Sequence, residues 1–375
     1  MTKLLFGVLI ASAFLINSLL ARVPRTARAG EFDFERYHDF EDFERYLQTA
    51  ASRYPNIATL KQIGTSREGR KLLGLKVFRI KTPKIKGKKS NQISSKKGPE
   101  NKPGVWIDGG NHAREWPAFH LCVYFIDKLL DGYGSNEQIT NYVDKLTIWI
   151  FPVLNPDGFV FSRTSTKDSV RQWRKNRSPE NCTGYTNFKH IDTCCEGVDL
   201  NRNWDVGFKQ TNYPFNNPCS DEFQGPFAFS EPETRAVRDF IMTDEINNSV
   251  HALVSLHTHG QLFIIPYNFQ RFTYPEDYKD LENVARRAAN AIYNVNGETE
   301  YKVGTAADMF GPATGGAIDW IKMNSFIKYV YVIELPPPLT TFFAFQMRPH
   351  WLVPTAQETM AGMEVIFRQV IHEFN

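Results

Sequence analysis

The run "GVWIDGGNHAREWPAFHLCVYFIDKLL", residues 104–130, decides the fold. It opens on apolar residues, passes through two glycines, and ends where Phe119, Val123, Ile126 and Leu130 recur at helical spacing. That order predicts a buried strand over 104–108, a tight turn, and a helix over 116–130. Similar short runs at 72–80, 146–154, 251–257 and 328–335, each bounded by Gly, Pro or Asn, also read as buried strands. Ser230-Glu-Pro-Glu233 has the form of a capping box with proline in the first turn, which predicts a helix from there through Arg238. Residues 355–373 form a last amphipathic helix. No repeat or linker interrupts 37–375, so strands alternating with helices predict one α/β domain around a largely parallel sheet. In such sheets ligands bind beyond the carboxyl ends of the strands.

Two candidate ligands stand at such an end. His112 and Glu115 lie three apart in the turn, where both side chains can converge on one point, and an imidazole nitrogen with a carboxylate oxygen suits zinc. A catalytic zinc needs a third protein ligand and a position left for water. His257 ends the buried run 251–256 and is the best of nine histidines; His259, two residues on, competes with it. Glu334 closes the apolar run "KYVYVIE", and beside such a water it could take a proton and return it to a leaving amine. Arg174 and Arg202, in "RQWRKNR" and "GVDLNRNW", could receive a carboxylate or a developing oxyanion.

Composition bounds the rest. The 375 residues are 42% hydrophobic and 14% aromatic, enough for a substantial core, which excludes disorder throughout. A formal net charge of +3 on so long a chain gives no reason to expect nucleic acid. The apolar stretch Leu4–Ala21 after Lys3 is built as a secretory signal peptide, and Ser12, Asn17 and Ser18 argue against an anchor helix, so a secreted, extracellular chain is expected. Export makes the five cysteines candidates for disulfides: Cys182, Cys194, Cys195 and Cys219 lie in a loop-rich segment that one or two bridges would pin, and Cys122 reads as a buried thiol. Sequons at Asn176, Asn181 and Asn247 fit that compartment, the first weakened by Pro179. Residues 81–103 carry eight lysines and almost nothing to bury, which predicts an exposed loop.

From about Tyr37 onward the chain resembles the zinc metallocarboxypeptidases of the pancreatic A/B type. The ordered motifs are "TSREGR", "GGNHAREW", "NPDGF", "RQWRKNRS", "GVDLNRNWD", "SLHTHGQL", "GGAIDW" and "ELP". The resemblance implies a mixed eight-stranded sheet with helices on both faces and one zinc ion held by His112, Glu115 and His257. It also implies Asp199 as the acid orienting a ligand histidine, Glu334 as general base, and Arg174 as the group stabilising the oxyanion. Asn201 and Arg202 would grip the substrate's terminal carboxylate, with Arg114 a further cation on the substrate side. Ile318 stands where side-chain preference is set, which favours apolar or aromatic C-terminal residues over basic ones. Cys195–Cys219 matches a recurrent disulfide, leaving Cys182 and Cys194 as a further pair.

Two departures shape the expectations. Residues 22–36 are too few to fold as an inhibitory propeptide, so activity without extensive maturation is expected. Gly311 stands where relatives carry a mobile tyrosine, and Ala306 and Phe310 would also reshape the pocket; a raised KM with kcat less affected follows. The leading reading is a secreted, monomeric zinc exopeptidase acting on peptide C-termini with no membrane partner. The alternative is a non-catalytic protein that binds peptide C-termini or zinc, but such a binder has no need of Glu334.

Overall fold

The computed structural model describes residues 32–79, 102–180, 195–208, 213–341 and 344–375. The expected signal peptide, most of the lysine-rich stretch, Cys182, Cys194 and the Asn181 sequon lie outside them. Residues 34–375 cluster as one unit. Its strands are β1 (Ala58–Thr65), β2 (Lys71–Val77), β3 (Gly104–Gly109), β4 (Thr147–Phe151), β5 (Val250–Gly260), β6 (Leu262–Ile264), β7 (Lys302–Gly304) and β8 (Tyr329–Pro338). They form one eight-stranded sheet of order β1-β2-β4-β3-β5-β8-β6-β7. The pairings β4–β3, β3–β5, β5–β8 and β6–β7 are parallel and the other three antiparallel. The sheet is therefore mixed but parallel through its centre.

Both faces are covered. Trp106, Trp149, Phe151, Leu253 and Val330 pack on one face with Val237 and Ile241 of the helix Pro232–Ile241 and with Ile318 and Ile321 of the helix Ala317–Asn324. Residues of alternate parity serve the other face, where the hydroxyl of Tyr331 donates to Leu281 O on the helix Tyr278–Asn296. The last helix, Leu352–Phe374, buries Ala356, Met363, Ile366, Phe367 and Val370. Fully burying each of the larger of these side chains stabilises the fold by about 1.5–3 kcal/mol before entropy is counted.

The turn after β3 depends on its glycines. Gly110 has φ 73°, and a Cβ there would meet the Phe119 ring at 2.7 Å; a Cβ on Gly109 would meet Ala118 O at 2.8 Å. Only a backbone without side chains lets the helix Trp116–Gly132 start this close to the strand end. Two expectations need correction. The helix after Ser230 has Glu231 at its N-cap and no side-chain cap bond, because Ser230 Oγ turns to Glu231 and the Glu233 carboxylate takes Arg67 N–H instead. Asn176, read as a sequon, is fully buried, and its Nδ2 donates to Glu231 and Glu233.

Candidate metal centre

The parallel strands β3, β5 and β8 deliver their carboxyl ends to one place. In register, His257 of β5 pairs with Glu334 of β8, so those two side chains leave the same face of the sheet. The β3 turn adds His112 and Glu115, and these with His257 form a buried group whose candidate ligand atoms lie within 4.8 Å of one another. His112 Nδ1 is 2.7 Å from Glu115 Oε1, His257 Nδ1 is 3.0 Å from Glu115 Oε2, and the two Nδ1 atoms are 3.1 Å apart. Two ring nitrogens facing each other and a carboxylate present three lone-pair sites to one point. Nitrogens at the usual distance from a tetrahedral zinc stand about 3.3 Å apart, so the separation fits a shared ion.

The outer nitrogens fix the tautomers. His112 Nε2 lies 3.1 Å from Asp199 Oδ1, and His257 Nε2 lies 3.2 Å from Ser255 Oγ, which itself donates to Asp108 Oδ1 at 2.6 Å. With each Nε2 proton turned outward, each Nδ1 keeps its lone pair inward. Burial disfavours charge on Glu115 and Asp199, but His112 and His257 facing the former, and Arg174 and His112 facing the latter, hold both below the ordinary carboxylate range.

The cations surround this group. Arg174 Nε donates to Asp199 Oδ2 at 2.9 Å, and its Nη1 lies 3.7 Å from Glu115 Oε1. Ala113 N–H bonds Arg174 O, and Asn155 Nδ2 donates to both Asn111 O and Lys175 O, so the His112 and Arg174 loops are tied together. Arg202 Nε and Nη2 both donate to Glu222 Oε2, at 3.2 and 2.7 Å, while Asn201 Oδ1 accepts Ala317 N–H. Arg114 donates to Gln172 O and Asp221 Oδ2 and lies over the Phe345 ring. Glu334 is half-buried; burial pushes its carboxyl up to about 7, with His257 opposing the rise and Glu115 adding to it.

The comparisons with known proteins agree. The zinc carboxypeptidase family model matches residues 43–362. The chain belongs to the zinc carboxypeptidase family. It is 34% identical to carboxypeptidase A2 of Rattus norvegicus over 92% of this chain and 72% of that one, and 33% identical to carboxypeptidase B of Astacus astacus over 89% and 97%. The solved carboxypeptidase A of Helicoverpa armigera superposes with TM-score 0.74 at 28% identity, covering 97% of this chain and 81% of that one. This zinc carboxypeptidase is therefore a metallopeptidase, a hydrolase of the C-terminal ends of peptides, with relatives of both A and B type.

Other sequence-level candidates fall as follows. His259 is outside the cluster and meets the Phe345 ring edge-on, with centroids 4.8 Å apart. Ile318 is buried and lines a small cavity with Trp204, Leu253 and Ile321. Gly311 ends the helix Ala306–Phe310 at φ 116°, a conformation that side chains rarely adopt, and only Arg271 Nη2 comes within 4 Å of a Cβ built there. A tyrosine at 311 would therefore strain the backbone. The Cys195–Cys219 disulfide is present and Cys122 is a buried free thiol. "TSREGR" and "NPDGF" bind each other through Ser66, Arg70 and Asp157.

Asp108 and Ser255 were missed. Asp108 is an acid inside an otherwise apolar strand, and Ser255 is a polar residue two before His257 and so on its face. Those were the available signals. Asp221 and Glu222, which occupy Arg114 and Arg202, follow Cys219 in a segment where spacing says nothing.

Proposed function

We propose that this chain is a secreted carboxypeptidase that removes apolar or aromatic C-terminal residues, with zinc held by His112 Nδ1, His257 Nδ1 and the Glu115 carboxylate. The observation that carries the reading is the convergence of these three groups, each braced from behind, beside the half-buried Glu334. Zinc, when bound, supplies a Lewis acid for the scissile carbonyl and the attacking water. Glu334 takes the proton from that water and returns it to the leaving amine, a task suited to a carboxyl whose pKa sits above the usual range. Arg174, fixed by Asp199, offers Nη–H groups to the developing oxyanion. Arg202 keeps donors for the substrate's terminal carboxylate, which restricts cleavage to the last peptide bond.

The preference for apolar residues rests on Ile318 and its neighbours. Asp108 and Glu233 also line that cavity, but Ser255 and Trp106 donate to the two oxygens of the former, and Arg67 N–H and Asn176 to those of the latter. Each of those oxygens thus already accepts a bond from within the protein, and Ile318 offers a Lys or Arg side chain only apolar contact. The test offers blocked dipeptides ending in Phe, Leu, Lys or Arg, with and without a zinc chelator, beside Glu334→Gln. Chelator-sensitive release of Phe and Leu, lost in the variant, supports the reading; faster release of Lys or Arg would overturn the preference, and silence throughout would overturn the activity.

A further inference from the structure

The two sequons among the described residues meet different fates. Asn176 is fully buried with its amide nitrogen committed to two carboxylates, so no sugar fits there. Asn247, at the end of the short helix Asp244–Asn247, is half-buried, and its Oδ1 accepts the Phe326 N–H at 3.0 Å. Because that partner is a donor, the atom facing it must be the amide oxygen. Nδ2, the atom a glycan attaches to, therefore turns away from the contact, and among the described residues it has no partner. Phe326, whose backbone N–H makes that bond, is itself 77% exposed, a large apolar side chain for which the interior offers no cover.

We propose that Asn247 carries an N-linked glycan whose first sugar lies on the Phe326 ring; this rests on the reading of the chain as exported. The donor is an oligosaccharide on a polyisoprenyl diphosphate. A bond forms between Nδ2 and the sugar's C1, the C1–O bond to phosphate breaks with its electron pair leaving on the lipid diphosphate, and the amide nitrogen gives up one proton. Attachment during synthesis precedes folding, so the folded protein need only leave room, as it does at 247 and not at 176. Apolar C–H groups on one face of the sugar then cover the ring. The position is harmless to the site: Asn247 precedes the start of β5 at Val250, and His257 lies seven residue steps along it, about 23 Å away at the usual rise per residue.

The experiment expresses the full chain in a glycosylating secretory host and maps residues 176 and 247 by peptide mass spectrometry before and after enzymatic glycan removal. Asn247→Gln, Asn176→Gln and Phe326→Ala run alongside. Material from the medium should carry the glycan at 247, lose it in Asn247→Gln with kcat/KM unchanged, and show no change of glycan mass in Asn176→Gln. Glycan removal should lower Tm, and by less in Phe326→Ala. Unmodified Asn247 in exported protein would overturn the proposal, and an equal Tm loss in Phe326→Ala would overturn the role of the ring. A chain retained in the cytosol would overturn the export reading itself, and this proposal with it.

Discussion

His112 and His257 both turn Nδ1 toward Glu115, yet what stands behind each ring differs. Behind His112 is a carboxylate in direct contact, Asp199, which Arg174 also grips and keeps ionised. Behind His257 is a hydroxyl, Ser255, and only then an acid, Asp108, whose other oxygen takes the Trp106 indole and whose carboxyl burial pushes up to about 6. The first half of the centre is thus coupled to the cation proposed to act on substrate. The second is set in the strands of the sheet, where Asp108 and Ser255 line the cavity beside Ile318. One side chain, Asp199, braces both a proposed ligand and the arginine proposed to act on substrate, whereas Ser255 braces a proposed ligand alone.

The comparison can be broken in several ways. Glu334→Gln, which leaves the groups behind both rings in place, should lower kcat by about 10²–10⁴-fold while leaving zinc content unchanged; loss of zinc would mean Glu334 holds the metal rather than the proton. Asp199→Asn should weaken zinc binding by about 10–100-fold and also lower kcat with zinc saturating, because Arg174 loses its anchor. Ser255→Ala should weaken zinc binding by less than Asp199→Asn and leave kcat near the wild-type value once zinc is restored. Equal effects of the two changes, by chelator competition and saturating-zinc kinetics, would erase the distinction drawn here.

Smaller effects sharpen it. Glu222 places a negative charge on Arg202 at 2.7 Å, so it opposes a substrate carboxylate arriving at the same guanidinium. Glu222→Gln should lower KM a few-fold with kcat little changed, and a raised KM would show that Glu222 positions Arg202 instead. Away from the centre, burial pushes Glu233 up to about 7 from an ordinary value of 4.5. The folded protein then holds a proton there that the unfolded chain releases, so the associated stability is present below about pH 4.5 and is lost as pH rises toward 7. Denaturant titrations should show that slope flattened in Glu233→Gln.

Much of this was legible from the chain. β2, β3, β4, β5 and β8 were readable because a strand covered on both faces is a continuous apolar run. β1 was missed because "ATLKQIGT" is half exposed at the sheet edge, and β6 and β7 because three residues carry no period. His112 and Glu115 could be paired from their spacing at a strand end. The choice of His257 over His259 needed the resemblance or the register with β8, since both histidines follow the same run. Ser230 misled because a capping motif is local, whereas the pull of Arg67 N–H on Glu233 comes from a turn far away in sequence.

The most direct test is metal analysis of the protein purified without chelator, beside His257→Ala and His259→Ala. About one zinc per chain is predicted for the wild type and for His259→Ala, and almost none for His257→Ala. Zinc retained in full by His257→Ala, or absent from the wild type, would contradict the account.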